Sequence, residues 1–299
     1  MGAKPPKIVR KGTSYRAFEA AFPDSSACLD HIFESRFGLN SPCPKCGNLT
    51  WFLRVSGTNR YMARCCYDQS RNPFSGTIFA RTQVPLVDWF RCILYFTNTS
   101  AGISIAFVAR HFGLSHKAAF RMCSKIRQHL TALDSQVKLG IGGAPVMIDE
   151  VPLHRIMVKD CKRGRTCRLL IATDGSEFAA IPATRGRFAN VRRNLADLCT
   201  ENARLVVRTE RTLNGLLNYR PLKTLHGRKI ELANDSEAYE FFVLSVFGMK
   251  LKQFVLKPHR WLTSHYLDDY IGHFRYLYRR RAVGQNAFWD AISNFPELT

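Results

Sequence analysis

No stretch of the chain reaches the roughly 18 consecutive apolar residues that a membrane-spanning helix needs. The first residues, Met1 to Arg10, are basic but lack the apolar core of a secretory signal. Neither a membrane span nor export is therefore expected. Acid is also scarce: 23 Asp and Glu stand against 44 Lys and Arg, a formal net charge of +21 over 299 residues. An excess of that size points to a polyanionic partner, most often nucleic acid. A membrane surface attracts the same charge. Here, however, the basic residues are spread along the chain rather than gathered into one amphipathic arm.

At 46% hydrophobic and 12% aromatic, the chain can bury a real core, as one large domain or two to three small ones. Without an export signal, its ten cysteines are expected in a reducing compartment, where a CxxC pair favours metal over a disulfide. The expected location is cytoplasmic: with the nucleoid in a bacterium, or nuclear in a eukaryote.

Residues 1–14 read as a loose basic arm. Phe18, Ala21, Phe22, Cys28, Ile32 and Phe33 recur at helical spacing, interrupted by Pro23, with Asp24 to Ser26 offering caps for a second helix. Cys43-Pro-Lys-Cys46-Gly47 then forms a knuckle able to present two thiolates to zinc. Cys65-Cys66 follows at zinc-ribbon distance, with strands expected at Thr50 to Phe52 and Tyr61 to Ala63. The second CxxC is missing, because Asp68 and Gln69 stand where its second cysteine would fall. Adjacent cysteines rarely both reach one ion. The expected ligands are Cys43, Cys46 and one of Cys65 and Cys66, with Asp68 a weak candidate for the fourth. A ribbon that has lost its metal is the structural alternative.

Residues 85–131 read as helical. Leu86, Trp89, Phe90, Ile93, Leu94 and Phe96 make a broad apolar stripe. Ile103 to Arg127 then has helix-turn-helix spacing, with the turn at Gly113-Leu114 and Ser115 capping the second helix. That helix is expected to expose His116, Lys117, Arg121 and Lys125 to a DNA groove, while Ala118, Ala119, Met122 and Ile126 pack. An ordinary helical hairpin with a solvated basic face is the plainer alternative. Leu139 to Gly143 marks a domain boundary.

Beyond it the pattern turns α/β. Val146, Met147 and Ile148 read as a buried strand ending at Asp149 and Glu150. A hairpin is expected about Thr173-Asp174-Gly175, then a basic helix from Phe188 to Leu198. A strand, Arg204-Leu-Val-Val-Arg208, leads into Thr209-Glu210. Ser236 to Leu256 and Ser264 to Arg281 read as helices, the latter ending in Arg279-Arg280-Arg281. Those arginines are candidate phosphate contacts, or simply a solvated basic helix end. A carboxylate at a strand end in so basic a chain suggests metal-dependent phosphoryl transfer on nucleic acid; a strand stopping at a solvated acidic turn would look the same.

Several stretches in order carry a resemblance. They are Phe22-Pro-Asp24 with Cys28 and Arg36; Cys43 to Gly47; Phe74-Ser-Gly-Thr-Ile-Phe79; Gly102-Ile-Ser104; Ile148-Asp-Glu150; and Tyr266-Leu-Asp-Asp-Tyr270 through Phe274 to Tyr278-Arg279-Arg280. Over residues 15–285 the chain resembles DDE transposases of the Merlin type and their bacterial insertion-sequence relatives. The resemblance implies an α+β multidomain fold: a zinc ribbon within 15–80, a helix-turn-helix domain over 81–139, an RNase H-like α/β catalytic domain over 144–285, and a tail at 286–299. It implies structural Zn2+ and a pair of catalytic Mg2+ or Mn2+ ions about 3.5–4 Å apart. Carried over, the catalytic acids are Asp149, Glu210 and Glu237, with Asp174 a turn-building decoy.

The chain departs from the family's pattern at three places. Glu210 stands where Asp is expected, Glu240 and Leu244 replace a Trp and a Lys, and the second cysteine knuckle is eroded. The implied activity is cleavage and transfer of element ends on double-stranded DNA by a homo-oligomer. The alternative is a domesticated or decayed transposase that binds DNA without cutting it. An RNA-binding ribbon protein is a third reading; the lack of an aromatic-rich RNA platform motif counts against it.

Overall fold

The computed structural model describes residues 12–134, 138–154, 156–157, 167–183, 188–210, 212, 224–225, 228–259 and 262–296. Most of the expected basic arm, residues 1–11, lies outside the described residues. The chain is mixed α+β and divides into two compact units. No helix among the described residues is long and apolar enough to cross a membrane.

The first unit takes residues 1–99, 103–133 and 276–299. Helices α1 (Tyr15–Ala21) and α2 (Ser25–Phe37) are capped by Ser14 and Asp24, whose side chains accept from the amides of Ala17 and Ala27. Strands β1 (Asn40–Pro42), β2 (Leu49–Arg54), β3 (Tyr61–Ala63) and β4 (Ser70–Arg71) form an antiparallel sheet in that order. Phe33 of α2 stacks on Tyr61 of β3 at 3.9 Å between centroids, which fixes the sheet to the helices. Helices α3 (Leu86–Asn98), α4 (Ile105–His111) and α5 (His116–Leu133) follow. Aromatic edges hold the core: Phe22 meets Phe90 at 4.9 Å, and Phe79 meets Trp89 at 5.7 Å.

Within the expected tail of residues 286–299, Ala287–Ser293 form a further helix of this unit. Asn286 caps it by accepting from the amides of Phe288 and Trp289. Phe288 and Ile292 are buried, and Phe288 packs edge-on against Phe18.

The second unit takes residues 100–102 and 134–275. Its six strands are β5 (Pro145–Leu153), β7 (Cys167–Thr173), β8 (Phe178–Ala183), β9 (Arg204–Val207), β10 (Thr224–Leu225) and β11 (Arg228–Leu232). They lie in the order β10-β11-β9-β5-β7-β8. A short β6 (Ile156–Met157) pairs in parallel with β12 (Leu262–Thr263). β7 is antiparallel to β5 and to β8, while β9 is parallel to β5 and β11 parallel to β9. Helix α6 (Phe188–Leu198) links β8 to β9, as a parallel return to β5 requires. Helix α7 (Ala238–Leu256) follows β11, then helix α8 (Leu267–Ala282) leads to α9 (Ala287–Ser293), the helix of the first unit.

β5 does not stop at Asp149, as the sequence suggested. It continues to Leu153, paired residue by residue with β7 as far as Cys167. Its apolar run Val146-Met-Ile148 is buried on both faces, as a central strand with a parallel neighbour requires. Val146, Ile148, Leu170, Leu195, Leu205 and Val207 form one core with α6. The other face receives α7. There the absence of a side chain at Gly248 lets helix and sheet meet closely: a Cβ at that position would lie 2.6 Å from Val151 Cγ2 and 2.8 Å from Ile171 Cδ1. The hairpin expected about Asp174 forms. Asp174 builds it, accepting from the amides of Ser176 and Glu177 through Oδ1 and of Gly140 through Oδ2.

Replacing Gly by Ala inside a helix ordinarily gains about 0.8–1.0 kcal/mol. Gly248→Ala should instead destabilise, by about 1–3 kcal/mol, because overpacking against β-branched neighbours outweighs the propensity gain. Urea unfolding checks the sign; stabilisation would mean that α7 does not seat on β5 and β7.

Candidate functional site

Three groupings of side chains offer chemistry. The first is the cysteine group. Gly47, at φ +72, turns the chain so that its amide donates to the Cys43 carbonyl, and the Cys43 amide donates to Asn48. From the other side, the turn between β3 and β4 brings in Cys65 and Cys66. The sulfurs of Cys43, Cys46, Cys65 and Cys66 all lie within 4.8 Å of one another, with Cys46 and Cys65 at 3.5 Å. A tetrahedral ion with Zn–S near 2.3 Å spaces its sulfurs by roughly 3.8 Å, so the group fits zinc.

Both adjacent cysteines therefore reach the group, correcting the expectation that only one would. Asp68 does not supply a ligand; its carboxylate pairs with Lys45 at 2.7 Å. The amide of Cys46, with help from that of Lys45 and the neighbouring thiols, draws the Cys43 thiol down to about 7 against desolvation. Desolvation and the neighbouring thiols push Cys66 up to about 12.

The second grouping is the helical pair α4 and α5. Ser104 and Ser115 cap them, accepting from the amides of Phe107 and Ala118 at 3.2 Å each. Ala119, Met122, Cys123, Ile126 and Leu130 are buried. His116, Lys117 and Arg121 are exposed, as expected. Lys125 is not. Its ammonium donates to the carbonyls of Ile78 and Ala80 at 3.1 Å each. Desolvation and the nearby Arg81 hold it below the ordinary lysine range. Nor are the expected phosphate arginines free. Arg280 pairs with Asp290 at 2.8 Å, Arg281 donates to the Thr99 carbonyl at 2.6 Å, and Arg279 is half-buried and partnered.

The third grouping holds the expected catalytic acids. Asp149 lies on the face of β5 opposite the α6 core. Its Oδ1 accepts from the Glu150 amide at 2.8 Å, and its Oδ2 pairs with Arg208 Nη1 at 3.0 Å. The same Nη1 reaches Ser245 Oγ on α7 at 2.7 Å. Glu237 is buried elsewhere: Oε1 meets Arg204 Nη2 at 3.1 Å, and Oε2 accepts from the Asn234 amide at 2.8 Å. The Asn234…Glu237 spacing is a capping box for the start of α7. Glu150 is taken by Arg168 at 2.6 Å. Glu210 follows β9 and is exposed.

Asp149 and Glu237 thus belong to separate pairs. Arg204 opens β9 and Arg208 directly follows it, four residues on and about 13 Å by strand rise; Arg208 pairs with Asp149, and Arg204 with Glu231 and Glu237. Among the described residues, no group of three or more His, Cys, Asp or Glu other than the four cysteines brings its ligand atoms within 4.8 Å. A two-ion site needs carboxylates converging on ions about 3.5–4 Å apart. This arrangement does not fit one.

The sequence reading missed Arg204, Arg208 and Ser245. The signal was present: two arginines bracket Leu-Val-Val in a strand whose neighbour carries an acid.

Four cysteines binding one ion make a sharp prediction. Cobalt(II) added to the protein should give the absorption of a four-thiolate site. Cys65→Ser and Cys66→Ser should each alter the spectrum and weaken binding, and Asp68→Asn should do neither. An unchanged spectrum in either cysteine variant would reduce the set to three thiolates.

No protein-family model matches the chain, and no curated protein matches it. A solved structure described as a pre-cleavage Mos1 transpososome aligns with 68% of this chain and 76% of its own at 10% identity, with a TM-score of 0.23. At that score the likeness carries no argument about fold or site.

Proposed function

We propose that the protein is a DNA-binding protein of transposase-like build whose acidic centre is closed by arginines. The carrying observation is the Arg208 guanidinium on Asp149, with Glu237 held apart by Arg204. A cation already satisfies the carboxylate that would have to receive the first metal ion. This favours the non-cleaving alternative over strand transfer.

Other features support the DNA-binding part. The net charge of +21 favours a polyanion. Exposed His116, Lys117 and Arg121 line the start of α5, where a helix-turn-helix reads or clamps a groove. The order β8-β7-β5-β9-β11, with its last two strands parallel to β5, supports an RNase H-like reading of the second unit. The four-cysteine group supports a zinc ribbon. Assembly of more than one copy on DNA follows from the family resemblance and is part of the proposal. Strand transfer remains the second reading, favoured by one feature: Glu210 follows β9, the strand beside β5.

Binding to a DNA duplex should fall steeply with salt. Six to ten phosphate contacts lose roughly 10³–10⁵ in affinity between 50 and 200 mM. Lys117→Ala and Arg121→Ala should each weaken binding and lower the salt slope by about 1 if they contact phosphate, while Lys125→Ala should act through stability instead. Asp149→Asn should leave binding intact, and supercoiled plasmid with Mn2+ should stay unnicked. Metal-dependent nicking that Asp149→Asn abolishes would restore the enzyme reading. Duplex affinity that is flat across salt would sink both.

A further inference from the structure

The outer face of the cysteine-bearing sheet is apolar and open. From Leu49 to Leu53, β2 alternates: Thr50 and Phe52 point inward, and Leu49, Trp51 and Leu53 point out, 70%, 52% and 53% exposed. Met62 lies opposite Leu53 across the β2–β3 ladder, and Arg64 donates its amide to the Trp51 carbonyl. Residues 39–64 contain no Asp or Glu, but they carry Lys45, Arg54, Arg60 and Arg64. Arg60 and Arg64 are exposed, and among the described residues their side chains make no ion pair. Lys45 and Arg54 pair with Asp68 and Asp30 at the edges of the sheet, which leaves an apolar row with an aromatic at its centre beside Arg60 and Arg64, the chemistry of a stacking platform on a polyanion.

We propose that this face binds single-stranded DNA, with an unpaired base stacked on Trp51 and flanking phosphates at Arg60 and Arg64. The occupant follows from the two properties together. A duplex presents phosphates on its outside and keeps its ring faces stacked within, so it can use the cations but not the apolar row. An unpaired strand offers both ring faces and charge. A protein partner would use the leucines and would need an acidic rim to match the arginines. The proposal deepens the DNA-binding reading but uses a different surface from α5, so the two can fail separately.

The test is fluorescence anisotropy of the full, zinc-loaded chain with a labelled single-stranded DNA, an RNA of the same sequence and the corresponding duplex. Trp51 emission is read in parallel. Trp51→Ala should weaken single-strand binding by about tenfold or more, the scale of one base–aromatic stack, and abolish the binding-linked change in tryptophan emission. Duplex binding should stay within about twofold. Trp51→Phe should restore part of the loss. Trp51 is half exposed, so its removal should leave the unfolding curve in place.

Unchanged single-strand affinity in Trp51→Ala would overturn the proposal, and so would a preference for RNA. Self-association of the wild type that Trp51→Ala abolishes would also overturn it and give the face to a second copy. Loss of duplex binding in Lys117→Ala with single-strand binding kept would support it.

Discussion

A carboxylate on a strand buried on both faces must be compensated, and the second unit is arranged around that need. Asp149 sits at the centre of the sheet with its side chain 14% exposed. Leaving a buried charge without a partner costs several kcal/mol. β9 lies parallel to β5 with Ile148 opposite Val207, so Arg208, directly after β9, is level with Asp149. The pair ties β5 to the end of β9, and the bond from the same nitrogen to Ser245 ties both to α7. Arg208 is half exposed, so the contribution to stability is modest, about 1 kcal/mol or below.

The same strand compensates a second acid at its other end. Arg204 bridges Glu231 of β11 and Glu237 at the start of α7. Glu237 also closes the capping box that starts that helix. The arginines that open and follow β9 thus each pair with acids of the second unit. Asp149 and Glu237 each tie a part of the second unit together: Asp149 joins β5 to Arg208, and Glu237 joins the start of α7 to Arg204.

In the first unit, charge is divided between structure and surface. Lys125, Arg280 and Arg281 satisfy backbone carbonyls or an aspartate and hold the helices together. His116, Lys117 and Arg121, and separately Arg60 and Arg64, face solvent. The net charge of +21 cannot distinguish these two populations. Only packing does, because a long basic side chain over a helix end or a loop finds carbonyls within reach.

The sequence by itself determined most of the helices and the central strands, but not the helix Ala287–Ser293 or the strand Arg228–Leu232. Periodicity of apolar residues located the helices, the Cys43 to Gly47 knuckle located one half of the cysteine group, and Thr173-Asp174-Gly175 located the hairpin, since these signals depend on neighbours along the chain. The tertiary structure decided which charged groups meet. Asn234-x-x-Glu237 is written identically for a catalytic acid and for a capping box, and Arg204 and Glu237 are brought together only by the packing of α7 on the sheet. Likewise, Cys65 and Cys66 both reach the cysteine group because the turn between β3 and β4 curls them toward Cys46, a geometry that adjacent positions in a sequence do not reveal. Contacts between residues distant in sequence depend on register and packing, and those are fixed only when the layers close on one another.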